Sequence, residues 1–143
     1  MPYNLSNKLV VAVSSRALFN LEAENKIFEE KGLDEYYKYQ LGNENNPLEK
    51  GTGYRLITNL LKINDYFTAE EKEVEVIILS KNNAATSLRI TNAINEHNLK
   101  IERSGWTSGN DLSNYLKAFK VDLFLSADDT DVINAIQSGV AAA

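Results

Sequence analysis

Residues 8–19, KLVVAVSSRALF, decide the fold. Residues 9–13 form an uninterrupted apolar run, which is typical of a strand that is buried on both faces of a parallel sheet. The run leads directly into Ser14, Ser15 and Arg16. Ligands of open α/β sheets bind at the carboxyl ends of the strands. The two hydroxyls and the guanidinium are therefore candidates to bind an anion such as phosphate. In the alternative interpretation the serines only form a tight turn and Arg16 is solvated.

The composition limits the functions that the chain can have. Its 143 residues are enough for one domain with a buried core. A formal net charge of −5 and the lack of a basic cluster argue against general affinity for nucleic acid or for a membrane of acidic lipid. The absence of cysteine excludes disulfides and thiolate chemistry and favours a cytoplasmic location. The single histidine, His97, excludes a histidine-rich metal site, and we expect neither a signal peptide nor a membrane span.

The rest of the chain alternates between helical and extended patterns. Periodicity and capping signals predict helices over residues 20–31, 33–41, 52–63, 82 or 83 to 98, 111–119 and 129–137. Short apolar runs predict strands over residues 74–79, 99–102, 121–125 and 140–143. This alternation predicts an α/β fold in which residues 1–143 form one domain around a three-layer, doubly wound parallel sheet. The turn-rich stretch GNENNPLEKGTG lies between the first two strands, where a small helical cap could be inserted.

Polar side chains also lie near the ends of two further predicted strands. Ser80 comes directly after the second strand, and Asp128 and Asp129 follow the fourth. Lys117 lies in the helix that precedes the fourth strand. Each has a structural alternative, in which Ser80 forms a turn or cap, Lys117 is solvated, and residues 126–129 form a capping box, an N-cap with an acid three residues on.

Together these groups resemble the four signatures of haloacid-dehalogenase-like phosphatases, which have a Rossmann-like sheet. The resemblance implies that Ser80 and Lys117 hold phosphoryl oxygens and that Asp128 and Asp129 bind magnesium. In that superfamily the first strand ends in D-x-D, whose aspartates attack phosphorus and protonate the leaving oxygen. Serines stand in that place here, and a serine without a neighbouring base is a weak nucleophile. No residue of this chain is therefore assigned as the nucleophile.

A closer resemblance covers nearly the whole chain. It is carried by three runs, VAVSSRALFNLEAENKIFEEKGLDEYYKYQLGNENNPLEKG, LRITNAINEHNLKIERSGWTSG and YLKAFKVDLFLSADDTDVINAIQSGVAAA. These runs are similar to the cytosolic 5'-nucleotidase type I family, which implies magnesium-dependent hydrolysis of nucleoside 5'-monophosphates in the cytoplasm. Members of that family are longer and contain two similar halves, of which the second carries D-x-D. The resemblance implies that this chain is an N-terminal half, catalytically incomplete alone, with a missing catalytic half as its partner.

Two other functions stay open on the sequence. The first is a non-catalytic domain that binds a nucleotide or phosphate, or that pairs with another subunit through the edge of an incomplete last strand, as in a homo-oligomer. Tyr36, Tyr37 and Tyr39 would stack on the base in that case, although core packing is their simpler role. Trp106 either covers a pocket or anchors its loop. The second function is a flavodoxin-like or receiver-like signalling domain, which needs a phosphorylatable aspartate that residues 14 and 15 do not provide.

Overall fold

The computed structural model describes residues 3–143. They form one sheet of five parallel strands in the order β3-β2-β1-β4-β5. The strands are β1 Leu9–Val13, β2 Val74–Ser80, β3 Arg103–Trp106, β4 Leu123–Leu125 and β5 Ala141–Ala142. The seven α-helices of this described part are α1 Ser15–Leu18, α2 Glu22–Lys31, α3 Leu33–Gly42, α4 Tyr54–Ile63, α5 Leu88–Glu96, α6 Ser113–Ala118 and α7 Asp129–Gln137. The predicted α/β fold with a parallel sheet is confirmed.

β1 lies at the centre of the sheet. Val11 pairs with Val76 of β2 on one side and with Leu123 of β4 on the other. The side chains of residues 10–13 have no solvent exposure. A strand that is flanked at both edges and covered on both faces must be apolar throughout, because none of its side chains reaches water. The strand predicted over residues 9–13 is therefore confirmed, and it is buried from Val10 to Val13, whereas its first residue, Leu9, is 43% exposed.

Helices pack on both faces of the sheet. On one face Val11 packs in a core with Ile57 of α4 and Ile90 of α5. On the other face Val10 packs in a second core with Leu116 of α6. Successive residues of β1 thus serve opposite cores, as the two-residue period of a strand requires. Among the helices of residues 3–143, none has the length and apolarity that a membrane span needs.

The chain between β1 and β2 contains a pair of helices, α2 and α3, before α4 returns to the sheet. α2 starts at Glu22, whose N–H donates to Asn20 Oδ1 at 3.2 Å. It ends at Gly32, whose φ of 86° lies in the left-handed region that glycine adopts without strain. The two helices predicted in this segment are therefore present.

Two predicted element boundaries are wrong. The strand predicted over residues 99–102 is not formed, because Leu99 N–H closes α5 on Ile94 O at 3.1 Å, and β3 starts at Arg103. Gly105 lies in β3 beside β2, where an added Cβ would approach Leu79 Cδ1 to 2.6 Å. The helix predicted from residue 82 or 83 starts at Leu88 instead. A turn that is held by Asn83 Oδ1 and the N–H of Thr86 at 2.8 Å precedes it.

Candidate functional site

A cavity of about 530 Å³ opens at the carboxyl ends of β1 and β2, close to the end of β4. Its floor is polar and consists of residues that directly follow the strands, whereas α2 and α3 supply one side wall. This volume lies within the range of small-molecule sites. Open parallel sheets bind ligands at this position, outside the carboxyl ends of the strands and at the point where the strand order reverses.

The end of β1 supplies the first part of the floor. Ser14 Oγ accepts from the N–H of Ala17 at 3.3 Å and so caps the short helix α1. Its hydroxyl therefore has a structural role, as the turn interpretation predicted. The Ser14 and Ser15 side chains are both buried, and both line the cavity.

Ser15, Ser80 and Asn82 form a triangle of oxygen atoms in the floor. Ser15 Oγ lies 3.0 Å from Ser80 Oγ and 3.0 Å from Asn82 Oδ1, and Ser80 Oγ lies 2.9 Å from Asn82 Oδ1. The two hydroxyls carry only two protons for these three contacts. At any moment one contact therefore lacks a proton, and each hydroxyl can rotate to donate to a ligand oxygen instead.

Arg16 carries an unused donor at the same edge. Its Nη2 lies 3.4 Å from Glu22 Oε1, an exposed carboxylate at the start of α2. Its Nε is buried and has no hydrogen-bond partner within residues 3–143. Arg16 is thus not simply solvated: its side chain is 29% exposed. An anion in the cavity would satisfy Nε, and an unpaired buried donor costs about 1–3 kcal/mol.

Lys81 and Asp131 form an ion pair at the cavity. Lys81 Nζ lies 2.6 Å from Asp131 Oδ1, and the aspartate side chain is only 7% exposed. The interaction with Asp131 raises the pKa of Lys81 against the effect of burial, and the negative charges of Asp128 and Asp111 add to the rise. Burial raises the pKa of Asp131 despite the opposing charge of Lys81. Asp128 lies beside the pair, and its Oδ1 accepts from the N–H of Asp131 at 3.0 Å as the N-cap of α7.

The side wall is apolar and aromatic. Leu21, Phe28, Leu33 and Tyr36 line it from the segment that contains α2 and α3. The rings of Phe28 and Tyr36 meet edge to face, with centroids 5.8 Å apart. Tyr36 also connects wall and floor, because its hydroxyl accepts from Asn82 Nδ2 at 3.0 Å. A ligand with a charged end and a flat apolar end would match this cavity.

A buried ion pair holds the wall against α5. Arg89 Nη1 donates to Glu24 Oε1 at 2.6 Å and to Gln40 Oε1 at 3.2 Å. Its Nε donates to the carbonyl of Asn46 at 3.2 Å. Glu24 lies on α2 and Gln40 on α3, so one guanidinium on α5 fixes both helices of the wall.

The structure brings most of the predicted site residues together. Ser14, Ser15, Arg16, Ser80 and Asp128 all line the cavity. By contrast, Lys117 is exposed in the last turn of α6, Asp129 is exposed at the start of α7, and neither lines the cavity.

The sequence indicates Lys81 and Asn82 only as polar neighbours of Ser80 at the end of a strand and gives them no role, and it does not indicate Asp131; all three line the cavity. Lys81 and Asn82 follow β2 directly, so the rule that selected Ser80 would also have selected them. Asp131 carries a weaker signal, since it is three residues from the cap Asp128 and reaches the cavity only through the first turn of α7.

The residues present do not fit a magnesium ion. Within residues 3–143 no group of three or more histidine, cysteine, aspartate or glutamate side chains is placed to hold a metal. Of the two carboxylates near β4, Asp131 already pairs with Lys81 and Asp128 caps α7. Magnesium needs near-octahedral oxygen ligands, usually with one or two carboxylates free to bind it.

The remaining aromatic candidates have structural roles. Trp106 lies in β3 and packs against the core on one face of the sheet, and it does not line the cavity. His97 caps α5, with Nδ1 3.2 Å from Tyr54 Oη and Nε2 3.0 Å from the carbonyl of Leu48. Since that carbonyl can only accept, Nε2 carries the proton and Nδ1 accepts from the tyrosine.

Comparison with known proteins identifies a family and a curated relative. The model of the 5'-nucleotidase family matches residues 1–143. The chain is 36% identical to cytosolic 5'-nucleotidase 1B of Homo sapiens over 146 residues, which cover 99% of this chain and 24% of that protein. The chain therefore spans about a quarter of the length of this curated relative. No solved structure matches the chain.

Proposed function

The chain belongs to the 5'-nucleotidase family, and from this premise we propose that it is a non-catalytic part of a phosphatase of nucleoside 5'-monophosphates. Its cavity binds such a nucleotide but does not hydrolyse it. The observation that carries the proposal is the pairing of a hydroxyl- and cation-lined floor with an aromatic wall in one cavity. The phosphate lies on the floor, near Arg16 Nε and the Ser15 and Ser80 hydroxyls. The base lies against Phe28 and Tyr36.

The absence of hydrolysis follows from the chemistry at the end of β1. Ser15 Oγ is surrounded by the Ser80 hydroxyl and the Asn82 amide, and neither of these is a base. The chain's only histidine, His97, is engaged with Tyr54 and Leu48 and lies outside the cavity lining. A serine hydroxyl becomes a competent nucleophile only when a neighbouring base takes its proton.

The finer parts of the proposal concern the whole enzyme. We propose that the sheet is haloacid-dehalogenase-like. We also propose that the enzyme works in the cytoplasm, because the relative in Homo sapiens is named as cytosolic. Magnesium, where the reaction requires it, is held mainly by carboxylates outside this chain, because the described residues contain no set of ligands for it. When bound, magnesium would offset the charge of phosphate beside a carboxylate nucleophile.

The test combines calorimetry and phosphate release. We expect AMP or IMP to bind to the chain and no inorganic phosphate to appear, with or without magnesium. Arg16→Gln should weaken binding on the order of tenfold, since a charge-assisted hydrogen bond is lost. Lys117→Gln is the matched control, because it removes one charge outside the cavity and should leave the affinity unchanged. Phosphate release by the chain alone would overturn the non-catalytic assignment, and the absence of binding heat would overturn nucleotide binding.

A second candidate function is pairing with a catalytic half or with another copy of the chain. It is favoured by Ile133 and Ile136, which lie on α7 and are 53% and 55% exposed. β5, which packs beside α7, is an edge strand with one free side. Sedimentation of the chain alone and mixed with a D-x-D-bearing half tests this candidate. A monomer under both conditions would refute it, and Ile133→Asp with Ile136→Asp should abolish any complex.

A further inference from the structure

We propose that Lys81 supplies the positive charge for phosphate in this cavity, and that nucleotide binding by this chain is therefore independent of magnesium. The inference rests on the proposed function and adds to it the identity of the counter-charge. It starts from a conflict. The resemblance to magnesium-dependent phosphatases implies a bound metal, whereas the described residues do not fit one.

Lys81 is held at the floor of the cavity. It directly follows Ser80, the last residue of β2, and its carbonyl accepts from the N–H of Gly109 at 2.9 Å. Its Nζ lies 2.6 Å from Asp131 Oδ1. The ammonium group carries three protons, and the contact with Asp131 is an ion pair by distance, since Asp131 Oδ1 has no hydrogen-bond partner of suitable geometry within residues 3–143. The lysine side chain is 37% exposed and lines the cavity, so a ligand can reach its protons without breaking the ion pair.

The same ion pair excludes a metal from Asp131. A magnesium ion on that carboxylate would lie within a few ångströms of the Lys81 ammonium, and like charges at such a distance repel strongly where water is scarce. Asp128 alone offers no substitute site, since magnesium needs several oxygen ligands and no group of three or more carboxylate, histidine or cysteine side chains is assembled within residues 3–143. The positive charge beside these carboxylates is thus the ammonium group of Lys81.

The charges around the phosphate position are consistent with this arrangement. Lys81 and Arg16 contribute two positive charges to the cavity lining, which also contains the carboxylates of Glu24, Asp128 and Asp131. Glu24 is paired with Arg89 and Asp131 with Lys81 itself. The hydroxyls of Ser15 and Ser80, which add no charge, occupy the floor between the two cations. A carboxylate at the end of β1 would repel phosphate, and a metal would be needed to offset that repulsion. Residues 14–16 contain no carboxylate. Two fixed cations and neutral donors can bind a phosphate group without a metal.

The alternative is that Lys81 only stabilises the start of α7 by pairing with Asp131. The two interpretations predict different effects of a Lys81 substitution on the affinity for ligands that carry a phosphate group. If Lys81 contacts the phosphoryl group, then Lys81→Gln should weaken AMP and inorganic phosphate by the same factor, on the order of tenfold, and leave adenosine unaffected. If Lys81 is only structural, that substitution should change the unfolding midpoint and not the affinity for phosphate.

The experiment measures binding of AMP, inorganic phosphate and adenosine by calorimetry, in excess EDTA and in millimolar magnesium. We expect equal AMP affinity in both buffers for the unmodified chain, a loss in Lys81→Gln that magnesium does not restore, and retained binding in Lys81→Arg. Lys117→Gln is the charge-matched control. AMP binding that disappears in EDTA, or that persists unchanged in Lys81→Gln, would overturn this inference and leave the proposed function intact. No AMP binding in either buffer would overturn the proposed function itself. The EDTA comparison needs no variant, so it tests the independence from magnesium even if Lys81→Gln fails to fold.

Discussion

Arg89→Met should destabilise the protein more than any loss of packing alone would explain. Arg89 is buried, and its side chain is 7% exposed, as is that of its partner Glu24. Methionine fills a similar elongated volume but carries no charge. The substitution leaves the Glu24 carboxylate buried without its cation, and it also removes the donors to Gln40 and to the carbonyl of Asn46.

The magnitude follows from the buried carboxylate. Breaking a buried ion pair by removing one partner costs about 3–5 kcal/mol. A domain of this size is stable by about 5–15 kcal/mol, so this loss is a large fraction of the total. It should lower the midpoint of thermal unfolding by about 10 °C. Because Glu24 and Gln40 hold α2 and α3 in place, AMP affinity should fall as well.

Urea unfolding followed by circular dichroism measures the effect, and a double-mutant cycle isolates the pair. In Glu24→Gln with Arg89→Met no charge stays buried, so the double variant should be more stable than Arg89→Met alone. A cost of less than about 1 kcal/mol for Arg89→Met would refute the reasoning, since an exposed pair has that magnitude. A double variant that is less stable than Arg89→Met would refute it too.

Three further predictions concern other parts of the chain. Gly51→Ala should cost about 2 kcal/mol in urea unfolding, because its Cβ would lie 2.6 Å from the carbonyl oxygen of Ala17; an unchanged midpoint would contradict this contact. Asn82→Asp should reduce AMP affinity on the order of tenfold in calorimetry, because a carboxylate in the floor repels phosphate; equal affinity would place the phosphate elsewhere. Glu75→Gln should lower the free energy of unfolding by about 2–3 kcal/mol, since buried Glu75 pairs with Arg103 at 2.6 Å. AMP affinity should not change in this variant, because Glu75 lies near the opposite end of β2 from the cavity; a loss of affinity would contradict this separation.

The sequence predicted the elements whose signals are local. β1 is an uninterrupted apolar run and β2 is apolar except for Glu75 and Ser80, because strands buried on both faces accept few polar side chains. The helix predicted over residues 129–137 matches α7, whose cap Asp128 is readable from the sequence. β3 could not be predicted in this way. It is an edge strand with partly exposed side chains, and the Leu79 side chain of the neighbouring strand lies where a Cβ of residue 105 would be, which is a tertiary fact.

The cavity shows the same division. Ser14, Ser15 and Ser80 could be predicted because the end of a buried strand is visible in the sequence and leads directly to the site. Lys117 was selected by its order along the chain, yet whether a helical side chain reaches the cavity depends on how the helix is rotated on the sheet. That rotation is set by packing, and the buried residue of α6 is Leu116. Lys117 is exposed as a result.

The lack of a nucleophile and the lack of a metal site have one electrostatic cause. A carboxylate at the end of β1 would repel a phosphate dianion, and only a bound metal could offset that repulsion at short range. Ser14 and Ser15 stand in place of such carboxylates. The chain then lacks a group that attacks phosphorus, and it also lacks the repulsion that a metal would have to offset. On the proposal made above, the Lys81 and Arg16 side chains, which line the cavity, hold the anion instead. The exchange of residue types that we propose to prevent hydrolysis would then leave phosphate binding intact.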